Sequence, residues 1–201
     1  MRRRLARIVL VPLLVLWVAA PASAGDWRYP FGLTYTSGFS DVLDYYEDVL
    51  GVDADLSFPT GISFVPYFEF DKGHRLGLDV GPPNIILVEI TAGSSTEYID
   101  YFNLPLGGTY GYTFLRDKSV VPYFRAGFRY NLVKGDLVDS SSPGFLGAIG
   151  FETHRKKIVG FNFEVAYDNA TVDFVDAIGF QRSTEEIEVG GLQVSFRVIF
   201  Y

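Results

Sequence analysis

The sequence predicts an all-β chain: eight antiparallel strands closed into an up-and-down barrel. Three observations carry this expectation. Apolar residues recur with period two along most of residues 25–201, which is the strand period. Most alternating runs have the ~9–11 residues that a tilted strand needs to cross a bilayer. The links between runs alternate between long and short, the rhythm of a meander.

Residues 1–24 stand apart from this pattern. Arg2, Arg3, Arg4 and Arg7 form a positive head, Ile8 to Ala20 an apolar core, and Pro21-Ala22-Ser23-Ala24 a small-residue Ala-x-Ala site. The apolar run has 13 residues, too few for a helix to span a ~30 Å hydrocarbon core. The expectation is a cleaved signal peptide over 1–24 and one mature domain over 25–201. Its removal takes four of the 17 basic residues and none of the 24 acidic ones, leaving 13 basic groups and a formal charge of −11. That charge argues against nucleic acid as a partner. The absence of cysteine excludes disulfides and thiolate metal sites.

The strands follow in order. Trp27, Tyr29, Phe31, Leu33 and Tyr35 alternate with Arg28, Pro30, Gly32, Thr34 and Thr36. Ile62, Phe64, Pro66, Phe68 and Phe70 alternate with Gly61, Ser63, Val65, Tyr67 and Glu69. The third run, Leu76-Leu78-Val80 against Arg75, Gly77 and Asp79, is interrupted by Gly81-Pro82-Pro83, which suits a bulge rather than a regular ladder. Phe102 to Phe114 form the fourth run, and Tyr123 to Leu132 the fifth, with Phe124, Ala126, Phe128 and Tyr130 on one face and Arg125 and Arg129 on the other. Phe145–Glu152, Val159–Asp168 and Gly191–Phe200 complete the eight.

Short turns are expected at 71–73, 116–119 and 154–157, and long links at about 38–57, 90–97, 134–143 and 169–185. In a barrel with its N-terminus in the periplasm, the short turns are periplasmic and the long links external. Ser40 to Leu50 reads as a short helix in the first external loop: Ser40 or Asp41 caps it, and Val42, Tyr46 and Val49 share a face.

Alternation alone does not separate a membrane barrel from a soluble one with an apolar interior. The polar face decides. A water-facing exterior carries many lysines and glutamates, yet all five lysines (Lys72, Lys118, Lys134, Lys156 and Lys157) sit in turns or at strand ends. The polar face is mostly Gly, Ser, Thr, Asn and Ala with isolated charges, as a narrow eight-stranded interior requires. Tyr29, Tyr35, Tyr110, Tyr112, Tyr130 and Tyr167 on the other face fit aromatic girdles at two membrane interfaces. The short turns are basic and the long links acidic. The barrel is therefore expected to be transmembrane, with its apolar face in lipid.

These features resemble the small eight-stranded outer-membrane barrel proteins, of the kind of the OmpA transmembrane domain, OmpX and OmpW. The resemblance is architectural and spans the mature chain. Its most local element is the last strand, Gly191-Leu-Gln-Val-Ser-Phe-Arg-Val-Ile-Phe-Tyr201, which ends in aromatics. The resemblance implies location in the cell outer membrane. It also implies contact with outer-membrane lipid and lipopolysaccharide, and recognition of the last strand by the barrel-assembly machinery. Alternation runs to Phe200 and Tyr201 adds one residue, a departure that implies a shifted register for that recognition.

The candidate site is a lumen charge network: Glu69, Arg75, Asp79, Arg125, Arg129, Glu152, Glu164 and Arg197. A charge in a narrow interior needs a partner. The Asp71-Lys72-Gly73 turn is expected to set Glu69 opposite Arg75, and a symmetric loop between the fifth and sixth strands to set Arg125 opposite Glu152. The network packs and seals the barrel; an ion or proton path is the alternative. No cofactor and no metal site are expected, since Asp53 and Asp55 read as part of a solvated acidic loop. Lipid-modifying enzymes of this architecture carry a His-Ser-acid set near the outer leaflet. Here the two histidines, His74 and His154, both map to the short periplasmic turns, and no Gly-x-Ser-x-Gly occurs. The expected role is non-enzymatic, structural or surface-interacting. The alternative is a barrel that binds lipid or a small apolar ligand.

Overall fold

The computed structural model describes residues 25–38, 43–44, 47–48, 53–57, 60–70, 72–92, 95–135, 141–153, 157–175 and 184–201. The leader at 1–24 lies outside the described residues, as do His154 and nearly all of the helix expected over 40–50. Among the described residues there are thirteen β-segments: β1 (Gly25–Thr36), β2 (Asp53–Ser57), β3 (Thr60–Phe64), β4 (Tyr67–Phe70), β5 (His74–Val80), β6 (Asn84–Ala92) and β7 (Ser95–Thr113). They continue with β8 (Val120–Gly135), β9 (Ser142–Thr153), β10 (Val159–Asp168), β11 (Thr171–Val175), β12 (Thr184–Glu188) and β13 (Gly191–Phe200).

Eight antiparallel staves close into a barrel. β3 and β4 form one stave, because Phe31 pairs with Phe64 and Arg28 with Tyr67 in one unbroken register. The interruption between them is chemical. Pro66 has no N–H to give, but its carbonyl still accepts from Leu78 N–H at 2.9 Å. β5 and β6 form the next stave, with the bulge expected at Gly81-Pro82-Pro83. Val80 pairs with Leu106 of β7 but Asn84 with Asn103, so three positions on the β7 side face four on this one. Closure comes from β1 against β13, Tyr29 opposite Phe200 through Thr36 opposite Gln193.

The strands run further than their alternation suggested. The link expected at 90–97 is the tip of a β6–β7 hairpin in which Ala92 already pairs with Ser95. β2 adds to the far side of β6, Asp53 opposite Thr91. β11 and β12 prolong the β10–β13 ladder in the same register, with Asp168 opposite Gly191 and Thr171 opposite Glu188. One end of the barrel thus carries long β-extensions and the other carries short turns, Gly25 and Tyr201.

The faces sort as the period demands. Phe128 is 62% exposed and Ile149 69%, while Arg125, Arg129, Asn131, Glu152 and Glu164 on alternate positions are buried. An apolar exterior and an ionic interior invert the arrangement of a water-soluble barrel, and only a bilayer stabilises that inversion. Phe68 keeps outward parity yet is buried, because the rings of Trp27 and Phe70 pack over it at 5.6 and 5.0 Å.

Candidate functional site

The interior polar groups form two tiers. The tier nearer the short turns is built on the β4–β5 hairpin. Gly73 takes φ 87°, open to glycine, and its N–H donates to Phe70 O at 2.9 Å. This tight turn sets Glu69 directly opposite Arg75 as the sequence implied, with Arg75 Nε 3.5 Å from Glu69 Oε2. Arg75 Nη1 donates to Glu152 Oε1 at 2.8 Å and its Nε donates to Thr113 Oγ1. Arg116 Nε reaches in from the β7–β8 turn and donates to Glu69 Oε1 at 2.9 Å. The Arg75 guanidinium lies between the rings of Tyr67 and Tyr123, at 4.5 and 4.4 Å. Tyr67 OH donates to Glu152 Oε1 at 2.6 Å. Among the described residues two arginines face two glutamates in this tier.

The second tier centres on Arg125. Its Nε and Nη2 grip Glu164 bidentately, at 2.6 and 2.8 Å, and its Nη1 donates to Asp79. Arg197 Nη1 donates to the same Glu164 at 2.9 Å, its Nε to Ser63 Oγ at 2.8 Å and its Nη2 to Ser195 Oγ at 2.8 Å. Arg129 Nη2 donates to Asp79 Oδ1 at 2.8 Å, and Nη1 donates to Gln193 at 2.7 Å and lies 3.5 Å from Asp168 Oδ2. Tyr123 OH donates to Glu164 at 2.9 Å and accepts from Asn162 Nδ2 at 2.6 Å. Among the described residues three arginines face three acids in this tier.

All eight residues proposed from sequence are buried and ion-paired inside the barrel. One pairing differs. Arg125 sits opposite Ala148, and Glu152 opposite Val121, because the β8–β9 ladder turns nearer to β8 than a symmetric loop requires. Arg125 therefore reaches across the lumen to Asp79 and Glu164, and Glu152 is met by Arg75. The sequence reading also missed Asp168, Arg116, Tyr67 and Tyr123. Asp168, Tyr67 and Tyr123 carry the inward parity of Glu164, Glu69 and Arg125, which was the available signal; Arg116 sits in a turn and had none.

Between the tiers is a void of about 20 Å³, lined among others by Arg75, Arg125, Glu152, Glu164 and Arg197. That volume admits about one water. Towards the β-extensions the buried residues mix apolar Val133, Leu146, Ala170, Val172 and Val189 with polar Thr36, Asn103 and Asn131.

His74 is not in the turn where its sequence position suggested. It opens β5 on the outer face, with Nδ1 2.6 Å from Tyr110 OH and its ring edge-on to Tyr112 at 5.2 Å. Trp27 stacks on Tyr29 at 6.2 Å at the same end. These amphipathic rings form a belt above the short turns, as at a membrane–water interface.

No known protein family and no curated protein sequence matches the chain. Solved structures do match by shape. The crystal structure of outer membrane protein OprG from Pseudomonas aeruginosa superposes with a TM-score of 0.61 at 14% identity, over 89% of this chain and 96% of that one. AlkL, solved by solid-state NMR in lipid bilayers, gives 0.57 at 18% identity over 89% and 90%. The Escherichia coli outer membrane protein W gives 0.52 at 15% identity over 89% and 98%. The chain has the closed eight-stranded fold of the small outer-membrane barrel proteins.

Proposed function

We propose that this chain is a non-enzymatic outer-membrane barrel with a structural or surface-interaction role, its β-extensions presented outside the cell. One observation supports the reading above others: among the described residues the membrane-spanning lumen carries two ion-paired tiers, with a void of about 20 Å³ between them. Such a core holds the wall rigid and offers no axial route. In this reading residues 1–24 are the export signal, the acidic links meet lipopolysaccharide, and the last strand is what the assembly machinery binds. The test is conductance of the refolded mature chain in planar bilayers. Absence of channels at moderate voltage is the expected result; steady ohmic conductance overturns the sealed lumen.

A second reading, a barrel that holds lipid or a small apolar ligand, has its own support in the wall. Phe64 pairs with Val80, and in that register Pro82 stands opposite Ile62, where it has no N–H to give. Among the described residues the next pair in that register is Ser57 opposite Leu87. This seam lies in the membrane-facing wall beside the buried Val133 and Leu146. Binding of a fluorescent fatty acid that is lost on Pro82→Val favours this reading over the first.

A further inference from the structure

The short-turn end presents apolar residues where a water-facing turn has no use for them. Leu115 is 63% exposed and Ile158 80%. Leu115 also sits at φ 50°, a left-handed conformation that costs a residue with a Cβ about 1 kcal/mol or more. Strain is thus accepted to point this side chain outward. It follows Phe114, 44% exposed, and lies three residues beyond Tyr112 of the aromatic belt, roughly 10 Å along an extended chain. That distance places it at the depth of lipid headgroups.

Beside these apolar tips stand Lys72, Lys118 and Lys157, all exposed, and none in an ion pair among the described residues. Two of the turns are neighbours. Thr113 N–H donates to Gly73 O at 2.9 Å, and Gly73 lies against the Arg116 side chain, which brings Lys72 and Lys118 to one stretch of rim. Glu69 behind the rim is held by Arg75 and Arg116, and Asp117 is the exposed acid in the Lys118 turn. An apolar anchor flanked by exposed ammonium groups, directly under an aromatic belt, matches a glycerophospholipid: acyl chain against Leu115 and Phe114, phosphate against lysine.

We infer that the short-turn rim is a binding surface for anionic phospholipid headgroups of the adjoining leaflet, with Lys72, Lys118 and Lys157 as phosphate ligands and Leu115 and Ile158 as apolar anchors. The basic rim and acidic far end then orient the barrel between two chemically different leaflets.

The experiment uses the mature chain refolded into nanodiscs of phosphatidylcholine doped with phosphatidylglycerol. Retained phosphatidylglycerol is counted by native mass spectrometry, and folding is verified by heat-modifiable migration. The triple variant K72Q/K118Q/K157Q is expected to lose enrichment by about fivefold per lysine removed, the worth of a cation at an anionic surface. K134Q, at the opposite end, is the control and is expected to keep it. Leu115→Asn, which tolerates the left-handed backbone, is expected to weaken retention without unfolding the barrel. Unchanged enrichment in the folded triple variant overturns the proposal, as does equal loss in K134Q.

Discussion

Arg125 shows why single charges matter so much in this lumen. Its three donors satisfy Asp79 and both oxygens of Glu164, and all three residues are buried. A buried pair is weakly stabilising as a whole, but breaking it strands a charge at low dielectric. Arg125→Met is therefore expected to lower the unfolding free energy by about 3–5 kcal/mol, read by urea titration in detergent or vesicles. Arg125→Lys restores the charge but not the fork, and is expected to recover only part of the loss. Tyr123 is a gentler probe. Its hydroxyl joins Asn162 to Glu164, so Tyr123→Phe deletes one donor and one acceptor at nearly constant volume. A cost of about 1–3 kcal/mol is expected in the same titration, with the void and the Arg75 stacking left in place. Which residues face inward was legible from parity alone. Which residue meets which was not, because Arg125 finds Asp79 and Glu164 on staves that are not its ladder neighbours. Only the Glu69–Arg75 pair lay within one tight turn, where sequence sets geometry directly.

At the scale of elements, a strand between lipid and a polar lumen must alternate, so all eight staves announced themselves. The β-extensions did not. Beyond the bilayer both faces meet water, and Asp53–Ser57, Thr171–Val175 and Thr184–Glu188 carry acids without a fixed apolar side. The Gly81-Pro82-Pro83 bulge was legible because two successive prolines withdraw two donors from a ladder. What it does to the wall needed the register: the pairing of β3 with β5 stops at Phe64 and Val80. Pro82→Val returns a donor opposite the Ile62 carbonyl. Amide exchange around residues 60–64 and at position 82 is expected to slow in this variant if the seam then zips. Unchanged exchange there means that the bulge geometry, rather than the missing donor, keeps the wall unpaired.

The whole molecule is polar along its axis as well as inside out. Basic residues gather at the short-turn end, where Lys72, Lys118 and Lys157 are exposed, while the long links and β-extensions carry the acids. An odd number of links between eight staves puts Gly25 and Tyr201 at that same end, where Tyr201 N–H donates to Ile158 O at 3.1 Å. A chain delivered from the periplasm threads its long polar links across the bilayer once and leaves its termini behind, so the basic end should face the periplasm. The absence of cysteine makes this directly measurable. Lys134, exposed near the end of β8, and Lys118, in the β7–β8 turn, lie at opposite ends of the barrel. In intact cells a membrane-impermeant maleimide is expected to label Lys134→Cys and to leave Lys118→Cys unlabelled until the outer membrane is permeabilised. The reverse pattern would place the acidic extensions in the periplasm. It would also remove the exterior surface role, while leaving the barrel, its ion-paired lumen and its lipid-facing aromatics as they are.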